Sequence, residues 1–107
     1  MISIKKRLLI HECVYLQPKN NDVWNDDEHK RVELKNVRIE PKRGYLYTGT
    51  GEKITYNAIL FWDAVHSTHV VFDLKGKILF NGREMNIVTV SEFYDDRKLH
   101  HVEVMLT

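Results

Sequence analysis

The chain ends in D-D-R-K-L-H-H-V-E-V-M-L-T, residues 95–107, which sets two carboxylates, two bases and two imidazoles side by side. Paired carboxylates suit acid–base work and paired imidazoles suit metal ligation, provided that they face one another. In a β-strand, neighbouring side chains point to opposite faces. A strand over 99–106 therefore groups His100 with Val102, Val104 and Leu106, and His101 with Glu103 and Met105. The two imidazoles then point apart, His100 buried at a barrel end and His101 exposed, and cannot hold one ion together. Asp95 and Asp96 fall where the chain must turn, a setting in which Asp bonds the nearby backbone.

The other chemistry-bearing residues are scattered. His66 and His69, in H-S-T-H, have a spacing that supplies two metal ligands from one helical turn. Structural zinc takes four ligands, however, and Cys13 is the only thiol, while His11 and His29 make no second close pair. A metal-dependent hydrolase built on His66, His69 and His100 is thus the weakest alternative, and no catalytic residue, metal or cofactor is expected. Ser67 beside His66 is no triad signal, because sequence neighbours rarely face each other in a loop. Cys13 lies in an apolar run and reads as a small core residue. Lys42, Arg43, Tyr45 and Tyr47 offer phosphate contacts and stacking faces, the pattern of small barrels that bind single-stranded nucleic acid. A net charge of +1 and the acidic D-D-E at 26–28 weigh against broad phosphate binding.

These residues sit among β-rich runs. Residues 9–16 and 54–62 are rich in Val, Ile, Leu and aromatics, and 70–74, 78–80, 84–90 and 99–106 follow the same pattern. The run 54–62 ends fully apolar, as in a strand covered on both faces. In residues 32–39, Val32 and Leu34 have the opposite parity to Val37 and Ile39, so a β-bulge is expected at Lys35-Asn36. Pro41 is expected to end that strand. Asn81-Gly82 between two apolar runs is a hairpin turn. Asp63-Ala64-Val65-His66 could form one helical turn capped by Asp63. No helical stripe of ten residues is present. The expected fold is mainly β: a small single domain over 1–107, a barrel or sandwich of six to seven antiparallel strands with two long loops. Those loops are 18–30, acidic around Trp24, and 41–53, which holds Gly49 and Gly51; long loops in small domains commonly carry function.

The 107 residues fit one modest core, and 43% hydrophobic with 29% charged residues excludes wholesale disorder. A lone cysteine excludes an internal disulfide. The start, M-I-S-I-K-K-R-L-L-I, is too short in apolar residues for a signal peptide or a span, so a cytoplasm-like compartment and no membrane are expected.

Four segments carry a family resemblance: R-L-L-I-H at 7–11, L-K-N-V-R-I-E-P at 34–41, A-I-L-F-W-D-A-V-H-S-T at 58–68, and F-N-G-R-E-M at 80–85 followed by F-Y-D-D-R-K-L-H-H-V-E at 93–103. In this order the chain resembles the minor capsid proteins of tailed phages and prophages of Gram-positive bacteria. The likeness runs nearly end to end and is weakest over 17–30. It implies a structural virion protein of the head-completion type, a small barrel that assembles as a ring with copies of itself. Such a ring sits at the head–tail junction between the portal with its adaptor and the tail-completion protein, keeps packaged DNA in the channel, and is put together in the host cytoplasm. No cofactor or reaction belongs to it. On this reading Lys42, Arg43, Tyr45, Tyr47, Gly49 and Gly51 form the loop that meets the channel or a partner. Trp24, Asp26, Asp27 and Glu28 face a neighbouring subunit, with Trp24 as apolar anchor.

Overall fold

The computed structural model describes residues 5–18 and 29–107. A single 3₁₀ turn at Lys6–Leu8 precedes six strands: β1 His11–Pro18, β2 His29–Tyr47, β3 Lys53–Asp63, β4 Lys77–Phe80, β5 Arg83–Asp95 and β6 Lys98–Leu106. The pairings are antiparallel, in the order β1-β2-β3-β6-β5-β4. β4 returns to β1 through Val14↔Leu79, Tyr15↔Ile78 and Leu16↔Lys77. This short seam closes the sheet into a barrel, which leaves its body without an open edge at that point.

Alternation fills the interior. On β6, Val102, Val104 and Leu106 are buried while the residues between them are only partly so. On β3, Ala58, Leu60 and Trp62 join the same core, and Ile59 is buried on the other face, as the apolar end of that run requires. The expected bulge is present in β2. His11 pairs with Val37 but Cys13 pairs with Leu34, so Lys35 and Asn36 together oppose one residue of β1. Asn36 takes the left-handed conformation, φ 58°. The extra residue turns both Leu34 and Val37 inward, and both are fully buried. Two tight turns also follow the sequence: Asn81 and Gly82 have φ of 52° and 76°, and Asp96 has φ of 56° at the β5–β6 turn.

Three expectations fail. Pro41 does not end β2, which continues to Tyr47, so 41–53 is mostly a hairpin and not a long loop. Proline is tolerated there because β1 pairs with β2 only as far as Val37, which leaves that edge of β2 free. Residues 70–74 form no strand. They belong to the connection 64–76, whose Phe72 packs against Tyr15 and Trp62 at ring distances of 5.2 and 6.4 Å while Val71 stays exposed. Apolar β-formers there cover the barrel instead of pairing in it, since what they favour is half-burial, not a ladder as such. Residues 63–66 form a turn without helix, although Asp63 caps it as expected.

That connection is bound to the bulge. Asp63 is fully buried, and its Oδ2 accepts hydrogen bonds from the backbone of Val65 and His66 at 3.0 and 2.9 Å. The Ser67 hydroxyl donates to the Asn36 carbonyl at 2.5 Å and accepts from the Asp63 N–H at 2.8 Å. Asn36 Nδ2 donates to the His66 carbonyl, and Lys35 exchanges two bonds with Thr68. Farther on, the Asp73 N–H donates to the Tyr15 hydroxyl at 2.8 Å. Burial pushes that phenol up from its usual pKa; the Asp73 N–H opposes the shift and the Asp73 charge adds to it.

Two outcomes follow for stability. Asp63→Ala strips two N–H groups of their acceptor and should lower the unfolding free energy by about 2–3 kcal/mol in urea denaturation, with Asp63→Asn recovering part of it. Gly76 is buried, and a Cβ there would lie 2.5 Å from the Tyr15 ring, so Gly76→Ala should cost about 1–3 kcal/mol. Gly49, with open space around it, should accept alanine within about 0.5 kcal/mol.

Candidate functional site

β3 pairs with β6 only from Ala58 onward, and β1 leaves β2 at Val37. Residues 44–56 therefore stand as a two-stranded hairpin beyond the barrel, on the order of 20 Å long at about 3.3 Å per residue. A second bulge marks its base, where Lys42 and Arg43 together oppose Asn57. Next come Gly44 and Tyr56, directly opposite each other. The Tyr56 ring lies over Gly44 so closely that a Cβ there would meet its hydroxyl at 2.3 Å. Leu46 and Ile54 pair on one face, both half-buried. Tyr45 and Tyr47 project from the other face, 58% and 63% exposed, with their rings edge to face at 5.7 Å. Lys53 Nζ sits 4.5 Å above the Tyr45 ring, a cation–π contact.

The tip is built from Thr48, Gly49, Thr50, Gly51 and Glu52. The Thr48 N–H donates to the Glu52 carbonyl and the Gly51 N–H to the Thr48 carbonyl, both at 2.9 Å. The Glu52 N–H donates to Thr48 Oγ1 at 3.1 Å. Gly51 has φ of 86°, which a side chain would resist. The hairpin thus presents aromatic rings, cations and free strand edges.

The structure brings Lys42, Arg43, Tyr45, Tyr47, Gly49 and Gly51 together on this one element, as a hairpin in place of the expected loop. Trp24, Asp26, Asp27 and Glu28 lie outside the described residues. Under the hairpin, sequence reasoning missed a cavity of about 300 Å³ with Ile39, Ala58, Phe80 and Met85 in its wall and Arg83 at its edge. Its residues come from separate strands, so only the barrel order could have shown it.

The terminal histidines need a correction. They do not point apart: His100 Nδ1 and His101 Nδ1 are 2.7 Å apart. His101 is not exposed either. It stacks flat on Phe93, 4.6 Å between centroids, and its Nε2 meets Glu103 at 2.9 Å. The β5–β6 ladder shifts here: Phe93 pairs with His101 and Tyr94 with Leu99, so His100 is an extra residue, and such a bulge re-aims its side chain; the two rings meet edge to face at 4.9 Å. A contact between two Nδ1 atoms needs a proton on one and none on the other, which makes this pair a hydrogen bond. His66 and His69 flank a turn, and among the described residues no three His, Cys, Asp or Glu side chains converge to hold a metal ion. Burial pushes the Cys13 thiol up to about 12, which suits a core residue and not a nucleophile.

The described residues thus form a closed six-stranded barrel with a projecting two-stranded hairpin. The chain belongs to the minor capsid protein family, whose model matches residues 5–106. No curated protein and no solved structure matches it. Membership gives the protein a structural role in a phage particle. Among the described residues no helix is long and apolar enough to cross a membrane.

Because both tyrosine side chains face outward, Tyr45→Ala with Tyr47→Ala should move the denaturation midpoint little, by about 0.5 kcal/mol or less per site. A larger loss would mean that the pair holds the hairpin together.

Proposed function

We propose that this minor capsid protein is a head-completion connector that closes the DNA exit channel of the filled capsid and docks the tail. Copies of the barrel would form a ring at the head–tail junction, between the portal with its adaptor and the tail-completion protein. The observation that carries this reading is the hairpin 44–56, which extends past the barrel with no other strand of the described residues along either edge. A two-stranded ribbon is marginally stable alone, and exposed strand edges are templates for pairing. In a ring, every copy carries the same ribbon at the same height, so the ribbons converge on the axis or on the next ring. The barrel supplies the rigid mount. Trp24, Asp26, Asp27 and Glu28 are the proposed contact with a neighbouring subunit.

One arrangement favours a second reading, a single-stranded nucleic-acid binder. Tyr45 and Tyr47 share an exposed face beside Lys53, with Lys42 and Arg43 at its base. The rings, however, meet edge to face and Lys53 covers Tyr45, which leaves little flat surface for bases to stack on.

Replacing residues 45–55 by an Asn-Gly turn should leave the barrel folded by circular dichroism. Particles assembled with this variant should lose packaged DNA or fail to join tails. Particles that keep their DNA and carry tails would refute the assignment of the hairpin. Tight binding of a labelled single strand, lost in the Tyr45→Ala, Tyr47→Ala double variant, would favour the second reading instead.

A further inference from the structure

The net charge of +1 conceals an uneven distribution. Lys42 and Arg43 form the exposed bulge at the base of the hairpin. Arg83, also exposed, starts β5 and reaches the same place from another strand: it lines the cavity mouth together with Pro41 and Asn57. Lys53 stands farther along the hairpin. The basic run Lys5-Lys6-Arg7 arrives alongside, since the Leu8 carbonyl accepts from Arg38 Nη1 at 3.1 Å. Of the acids at this end, Glu40 is engaged by Arg38 at 2.7 Å and Glu84 by Lys77 at 2.9 Å, while Glu52 stands at the hairpin tip and Glu12 beside Asn81, both exposed. Among the described residues, Lys42, Arg43 and Arg83 make no ion pair. The opposite end of the barrel differs. There Glu92, Asp95 and Asp96 interleave with Arg97 and Lys98, and Val65, Val71 and Leu74 are exposed.

We propose that the hairpin end of the barrel is a contact for duplex DNA, in which Lys42, Arg43 and Arg83 engage the phosphate backbone without reading base edges. Three cations held at one place with no partner repel one another, and a polyanion relieves that repulsion. Guanidinium groups match phosphate oxygens with two parallel bonds. The amide of Asn81, which lines the same mouth, adds a neutral donor. An acidic protein partner fits less well. Lysine is depleted at the centre of protein interfaces. The proposal deepens the channel-closing reading and rests on it for the source of the DNA. Backbone contact by a few cations per subunit holds DNA without choosing a sequence, and the overall neutrality of the chain keeps single copies from coating it.

The test uses two triple variants that change net charge equally. Lys42→Gln, Arg43→Gln, Arg83→Gln removes the cluster; Lys75→Gln, Arg97→Gln, Lys98→Gln removes three cations from the other end. Fluorescence anisotropy of a labelled 20-base-pair duplex is read at low and moderate salt with the full chain. The expected result is binding that weakens on the order of tenfold when salt doubles, as about four phosphate contacts dictate. The cluster variant should bind at least about tenfold more weakly, and the control variant as the natural chain does. Equal losses in both variants, no binding by the natural chain at low salt, or equal displacement of the protein by polyglutamate would overturn the proposal. Particles separate it from the reading beneath it. Shortened-hairpin particles that leak while the cluster variant binds DNA normally would remove this inference and keep channel closing. Particles that hold DNA while the cluster variant fails to bind would do the reverse.

Discussion

The bulge at Lys35-Asn36 is the constraint on which the architecture depends. β2 is a nineteen-residue strand with two sets of partners, β1 over its first half and β3 over its second. An unbroken pleat of that length would send alternate residues to the same sides throughout, and one half would bury its polar face. The bulge resets the phase where the partner changes, so Leu34 and Val37 both enter the core. It also leaves the backbone of Lys35 and Asn36 without a ladder. The connection after β3 supplies what is missing: Thr68 pairs with Lys35, and Ser67 takes the Asn36 carbonyl. Asn36 in the left-handed region costs on the order of 1 kcal/mol, and its own side-chain bond to His66 offsets part of it. Once β2 has turned this corner it is free of β1, and that freedom lets the hairpin run out beyond the barrel.

This accounts for two of the strings on which the resemblance to the family was read. L-K-N-V and D-A-V-H-S-T look like separate motifs, one with the residue types of a surface strand and the other with those of a catalytic loop. In space they are the two halves of one clamp. Asp63, Ser67 and Thr68 have the side chains of an acid, a nucleophile and a hydroxyl donor, yet each is occupied with backbone N–H or C=O groups. The hydrogen bonds that hold them there are what a reaction would need to break. At these positions the side chains maintain a shape.

How far the sequence reaches can be judged residue by residue. Local rules worked where local physics decides: the parity change in V-E-L-K-N-V-R-I gave the bulge, Asn81-Gly82 gave the turn, and Asp63 gave the cap. They failed where the deciding partner is distant. Pro41 looked terminal because nothing in its neighbourhood says that β1 has already departed. V-V-F-D-L at 70–74 looked like a strand because apolar alternation does not distinguish pairing from covering. His100 and His101 have opposite faces by strand periodicity, but a shifted ladder at Phe93 and the reach of two imidazoles brought them together. The residues expected in a loop at 41–53 lie on a hairpin instead: Tyr45 and Tyr47 share a face because 44–47 is extended, which required Pro41 to be passed over.

The hairpin itself is balanced between order and availability. Its stability rests on a few cross-strand contacts, Tyr56 over Gly44, Leu46 beside Ile54, and Lys53 above Tyr45. Each such pair contributes a few tenths of a kcal/mol to about 1 kcal/mol, little more than the entropy of fixing the residues involved. The barrel beneath it is held by a continuous buried core and does not share that weakness. The ribbon is thus held less firmly than the barrel that mounts it. On the proposed reading, contact with neighbouring copies would add the pairing that the ribbon lacks within its own described residues.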